Sequence, residues 1–125
     1  MSGFKPRRRH TLGARAETAA ARYLEDKGLE LIGHNYNCRF GEIDLIMRDQ
    51  LHLAFIEVRY RSSNRFGGAI ASVERHKQKR LIRTAQHYLA FEAKDANTRC
   101  RFDVVAVTTA HFDIQWVQNA FALTD

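Results

Sequence analysis

The stretch Gly41 to Arg61, GEIDLIMRDQLHLAFIEVRYR, constrains this chain more than any other, because it sets acidic groups on a strand pair that otherwise reads as core. Two runs with strand character, Gly41 to Arg48 and His52 to Arg61, flank the turn-like Arg48-Asp49-Gln50-Leu51 and predict a β-hairpin. A turn centred between Gln50 and Leu51 sets Ile46 opposite Phe55, Asp44 opposite Glu57 and Glu42 opposite Arg59, all on one face by the period of two. The other face then carries Ile43, Leu45, Met47, Ala54, Ile56 and Val58, all core residues. Directly opposed Cβ atoms lie about 4.5–5.5 Å apart, where two like charges destabilise a strand pair. A cation between Asp44 and Glu57 removes the conflict, and Mg²⁺ is commonly held by one or two carboxylates plus phosphate oxygens and water. The same pattern also describes plain solvated acids near a strand end, with Glu42 and Arg59 as an ordinary cross-strand ion pair.

The flanking segments predict the support for this hairpin. From Leu12, apolar residues through Leu24 recur at helical spacing, Thr11 suits the N-cap and Gly28 the stop. Glu17 sits at the margin of the buried stripe of that helix, either reaching toward the sheet or remaining a surface charge near the helix start. Leu29 to Tyr36 reads as a strand. Ser62 to Ala71 is a turn-rich loop around Gly67-Gly68 that carries Arg65 and Phe66. A second helix is expected over Val73 to Phe91 with Ser72 as N-cap, and Lys77 projects along its apolar stripe between Val73 and Leu81. Arg101 to Thr108 and Phe112 to Val117 read as two further strands, with Asp103 in a structural role. The expected fold is therefore one α/β domain over residues 11–125, in the order α-β-β-β-α-β-β, with a mixed central sheet of about five strands flanked by helices. Residues 1–10, with Lys5, Arg7, Arg8 and Arg9, are expected to be a flexible basic arm.

Charge narrows the partners. Twenty Lys and Arg against 14 Asp and Glu give a net charge of +6, which favours polyanions through counterion release. Arg39, Arg61, Arg65, Lys79, Arg80 and Arg83 are the candidate phosphate contacts, and no base-reading motif accompanies them. Cys38 and Cys100 have no zinc-ligand spacing and are expected to be reduced thiols in a cytoplasmic protein. No apolar run has signal-peptide or membrane-span length, so neither secretion nor membrane insertion is expected.

Glu17 on a first helix, Asp44 on a strand, Glu57-Val58-Arg59 on its hairpin partner and then a basic helix resemble the core of the restriction-endonuclease-like PD-(D/E)xK nucleases, most closely the archaeal Holliday-junction resolvases. GEIDLI at 41–46, FIEVRYR at 55–61, FGGAIASV at 66–73, AQHYL at 85–89 and RFDVVAV at 101–107 are similar to the YraN family of small bacterial proteins without an established function. The superfamily resemblance implies a restriction-endonuclease-like fold, Asp44 and Glu57 as ligands of Mg²⁺ or Mn²⁺, and Glu17 as an accessory acid. It also sets Arg59 in the usual lysine position, with Lys77 as the candidate to supply a lysine from the neighbouring helix. Arginine stays protonated and does not act as a base, although it can fork onto a phosphate. A metal-dependent nuclease acting on branched or structured DNA, possible as a homodimer, is the leading expectation. A binding module that kept the fold without turnover and a protein-interaction subunit with a basic face are the alternatives.

Overall fold

A computed structural model describes residues 3–4, 11–61, 73–93, 98–108 and 113–122. The elements run β1 (Gly3–Phe4), α1 (Leu12–Asp26), β2 (Glu30–Cys38), β3 (Gly41–Asp49), β4 (His52–Arg61), α2 (Arg75–Tyr88) continuing into a π turn (Leu89–Ala93), β5 (Arg99–Thr108) and β6 (Ile114–Phe121). The strands form one six-stranded sheet in sequence order. Every neighbouring pair is antiparallel except β4 with β5, which are parallel and are joined through α2, the long crossover that parallel pairing requires.

The mixed α/β architecture matches expectation, and the strand count is one higher. The extra strand is β1, inside the segment assigned to the arm: Gly3 pairs with Asn37 and Phe4 with Tyr36. The Phe4 ring meets Tyr36 edge to face at 5.2 Å, so an aromatic contact anchors a strand too short to show any periodicity. Lys5 and Arg7 to Arg9 lie outside the described residues, as do Ser62 to Ser72 with Arg65, Phe66 and the Gly67-Gly68 pair.

Thr11 caps α1 as its side chain predicts, Oγ1 accepting the Ala14 amide at 3.0 Å. Gly28 follows with φ 101°. Helix α2 starts two residues later than expected, at Arg75. Glu74 stands at the N-cap position with no side-chain cap bond, while the carbonyl of buried Val73 accepts Gln78 Nε2 at 2.7 Å.

Both faces of the sheet are covered. Ala16, Ala20, Ala21 and Leu24 of α1 pack on Leu45, Met47, Ala54, Ile56, Val105 and Val107, the small alanines allowing close approach. Leu81, Ala85 and Tyr88 of α2 pack on Tyr36, Ile43, Ile46, Phe55 and Phe102. The acid-bearing face is thus core as far as Ile46 and Phe55. Ile43, expected beside Leu45, belongs to the α2 side instead. Asp103 is structural as expected: buried, it accepts Arg101 Nε, Trp116 Nε1 and the Asn119 amide, and Arg101 also reaches Asp49 at 2.9 Å.

The feature that makes the site is a fork. The β3–β4 ladder runs from Asp49↔His52 through Ile46↔Phe55, in the predicted register, and ends at Leu45↔Ile56. Beyond that point β3 continues paired with β2, from Tyr36↔Ile43 to Cys38↔Gly41, whereas β4 continues with β5, from Glu57↔Val104 to Arg61↔Thr108. Asp44 and Glu57 are the first residues past the division. The expected ladder pairs Asp44 with Glu57 and Glu42 with Arg59 therefore do not form, and Glu42 stands opposite Asn37.

Candidate active site

At the fork, Asp44 replaces a missing ladder bond with its side chain: Oδ2 accepts the Val58 amide at 2.8 Å. This ties the carboxyl to β4 while β3 turns away. Burial pushes the Asp44 pKa well above the usual carboxylate range, the Glu57 charge adds to the push, and Glu17 and Glu42 contribute less; the Val58 amide pulls it back. Glu57 is buried, and its Oε2 meets Lys77 Nζ at 2.5 Å. The Lys77 side chain is half-exposed, so it runs from the apolar stripe of α2 out to solvent past the acidic end of the sheet.

These groups line a cleft of about 370 Å³ between the fork and the start of α2, together with Gly41, Glu42, Val58, His76, Arg80 and Leu81. Gly41 has φ 154°, and a Cβ there would meet Thr84 Oγ1 at 3.2 Å, so glycine lets β3 enter close against α2. Arg80 is exposed and its Nε donates to the Phe40 carbonyl at 3.4 Å, which holds the guanidinium between the cleft and the β2–β3 connection.

Of the residues singled out from sequence, Asp44, Glu57, Lys77 and Arg80 come together. Glu17 approaches from α1 and adds to the charge felt by Asp44, with Oε1 accepting Asn35 Nδ2 at 3.0 Å. Arg59 stands two residues past Glu57 on β4, opposite Ala106, and is not among the residues lining the cleft. Lys79 is exposed on α2, outside the cleft. Arg39 and Arg83 meet over the Phe40 ring, at 4.8 and 6.0 Å from its centroid. Arg61 ends β4 opposite Thr108.

Asn35 and His76 escaped the sequence reading. Asn35 lies between His34 and Tyr36, which pair with Leu45 and Ile43, so it stands across from Asp44. Its φ is 52°, a conformation Asn tolerates and strand residues avoid. An asparagine inside an otherwise good strand, HNYN, was the available signal. His76 carries no such signal, because only the docking of α2 brings it to the cleft.

The donors present suit a hard divalent cation. Among the described residues there is no group of three or more His, Cys, Asp and Glu side chains placed to hold a metal, so the candidate set is the Asp44 and Glu57 carboxylates. Asp44 and Glu57 in an open cleft, with exposed Glu42 on its wall, leave room for the waters and phosphate oxygens that Mg²⁺ and Mn²⁺ prefer, and the pair lacks the N/S ligands of a zinc site. Among the described residues no helix is long and apolar enough to cross a membrane.

A two-sided mixed sheet that forks at a carboxylate pair, with a basic helix over the opening, defines a small α/β protein with a charged cleft. The chain belongs to the uncharacterised protein family UPF0102, which matches residues 16–107 and is the YraN family that its motifs resemble. It is 49% identical over 113 residues to a UPF0102 protein of Saccharophagus degradans, covering 90% of this chain and 94% of that one. A UPF0102 protein of Nitrosomonas europaea is 52% identical, over 87% of this chain and 92% of the relative. One from Nitrosococcus oceani is 50% identical, over 94% and 97%.

Proposed function

We propose that this protein is a metal-dependent nuclease of the restriction-endonuclease-like class, hydrolysing phosphodiester bonds in branched or structured DNA. The observation that carries the reading is the meeting of Asp44 and Glu57 in one cleft at the end of their ladder, with the Asp44 carboxyl destabilised as an anion by burial and then by Glu57. Lys77 compensates Glu57, but the Asp44 anion remains costly, and a divalent cation shared by the two carboxylates would offset that cost.

Asp44 and Glu57 are the residues that would hold Mg²⁺ or Mn²⁺, and the ion would supply Lewis acidity there. Val58 positions Asp44 through its amide, and Asn35 keeps the Glu17 carboxylate directed toward the fork as an accessory acid. Lys77 presents an ammonium beside Glu57, where it neutralises a scissile phosphate and stabilises its developing charge. Arg80 extends the positive rim, and Arg59 serves a phosphate further along β4. The contacts on offer are to backbone phosphate, which supports recognition of shape over sequence.

The test is cleavage of labelled linear, flap, four-way and RNA substrates with Mg²⁺, Mn²⁺ or EDTA, beside Asp44→Ala and Glu57→Ala. Metal-dependent cutting abolished by both substitutions is expected; no cutting, or cutting by either variant, removes the reading. A second reading, a nucleic-acid-binding module without turnover, is favoured by the arginine at position 59 and predicts salt-sensitive binding that survives both substitutions.

A further inference from the structure

The same helix that closes the cleft carries a second feature away from it. Positions 77, 80, 84, 87 and 91 follow heptad-like spacing and share one side of α2 and its π turn. Lys77 and Arg80 occupy the cleft end of that stripe, and His87 and Phe91 the other. The two rings are 4.6 Å apart and tilted by 37°. Phe91 is 63% exposed, the outermost member of a chain of aromatic contacts that runs from the core through Tyr88 and Tyr36 to His87.

Phe91 lies in the π turn at Leu89–Ala93, one helical turn beyond His87 and exposed to solvent. His87 is fixed from beneath: its Nδ1 shares a hydrogen bond of 2.6 Å with the hydroxyl of buried Tyr36. Phe40 stands 6.4 Å from His87, edge to face, with the guanidinium groups of Arg39 and Arg83 over its ring. Exposed Phe91 with partly exposed His87 and Phe40, held from below and edged by three exposed arginines, Arg39, Arg80 and Arg83, is complementary to bases with free π faces on an anionic backbone. Among the described residues, Glu92 is an exposed carboxylate adjacent to Phe91 and opposes this charge.

We infer that His87 and Phe91 form a stacking platform for the bases of an unpaired nucleic-acid strand, with Arg39, Arg80 and Arg83 holding its phosphates. The inference deepens the nuclease reading, on which it rests for the role of the cleft, by naming the substrate feature: a single-stranded arm or flap beside the bond in the cleft. From Lys77 to His87 is ten residues, about 15 Å at ~1.5 Å per residue, which is the span the engaged strand covers between the platform and the cleft.

The experiment measures binding in EDTA, so that it does not depend on turnover. Fluorescein-labelled ten-nucleotide oligothymidylate and an abasic oligonucleotide of the same length are titrated with wild type, Phe91→Ala and Phe91→Tyr, and an oligonucleotide carrying 2-aminopurine reports stacking by quenching. Wild type should bind the base-bearing strand more tightly than the abasic one. Phe91→Ala should lose about fivefold or more on the base-bearing strand and little on the abasic one, with loss of quenching, and Phe91→Tyr should restore both. Equal binding of the two strands by wild type, unchanged affinity in Phe91→Ala, or no binding at low salt overturns the inference. Cleavage lost in Asp44→Ala with Phe91→Ala indifferent would leave the nuclease standing and the platform refuted.

Discussion

The Asp44 carboxylate accepts the Val58 amide at 2.8 Å one residue past the last β3–β4 ladder pair, so a side chain stands where a backbone carbonyl would stand elsewhere in the sheet. A single acid thus both closes the fork structurally and faces the cleft, and the two roles pull in opposite directions. The amide favours the ionised form, while burial and Glu57 oppose it, and the balance lies well above the ordinary range.

That balance sets a sign. A carboxyl whose folded pKa is raised binds its proton more tightly when folded, so its contribution to stability is present below the unfolded carboxylate range and lost as pH rises through the folded pKa. Asp44→Asn keeps an acceptor for Val58 and removes the ionisation. In EDTA at pH 7.5 it should melt a few degrees higher than wild type, and the gain should vanish in acid. Mg²⁺ or Mn²⁺ should raise the melting temperature of wild type, more so at higher pH, and leave Asp44→Asn unmoved. Calorimetry from pH 4 to 8 checks this, and a lower melting point for Asp44→Asn in EDTA would contradict it.

Lys77 and Glu57 form a pair with one partner buried and the other half in water. Solvent at Lys77 weakens what a fully buried pair would be worth, so Lys77→Met should cost about 1 kcal/mol. In a Glu57→Gln background the same substitution should cost nothing measurable, because the anion that needed it is gone. Urea denaturation of the four proteins yields the coupling, and additive losses would show that the ion pair contributes no stability.

Asp103 has a different kind of partner set. Its buried carboxylate serves Arg101, Trp116 and Asn119 together, and Arg101 is itself only 12% exposed. Asp103→Ala leaves that guanidinium with the Asp49 carboxylate and the Trp116 ring and should destabilise the fold by about 3–5 kcal/mol. Trp116 is the chain's one tryptophan, so its emission reports the change directly. Chemistry in the cleft, measured per folded molecule, should be unaffected.

Asn35 separates strain from function. Alanine at φ 52° adds a left-handed penalty of about 1 kcal/mol and removes the hydrogen bond to Glu17, whereas glycine removes the bond alone. Asn35→Ala should therefore be less stable than Asn35→Gly, while any activity that depends on Glu17 falls equally in both. Chemical denaturation beside a cleavage assay distinguishes the two effects, and a loss of activity that tracks stability would assign Asn35 to the fold alone.

Much of this was legible before any tertiary structure. Period-two alternation and the turn position yielded the Ile46–Phe55 register, helical spacing with Thr11 and Gly28 bounded α1, and the structural role expected of Asp103 is met in its pairing with Arg101. Local misses had local causes. Strand β1 has only two residues, and α2 begins at an N-cap position, Glu74, whose side chain makes no capping bond.

What the sequence by itself determined is the inventory and its phase: which residues are apolar, at what period, and that Asp44 and Glu57 come within one step of each other on a hairpin. Only the tertiary structure decided that the hairpin divides at that step, that Lys77 meets Glu57, and that Phe91 stands beside His87 in the open. The reason is physical. Alternation along a strand reports which face a side chain takes, but not which neighbour each strand keeps when two partners compete for it. β3 keeps β2, β4 keeps β5, and the carboxylates are left at the opening between them.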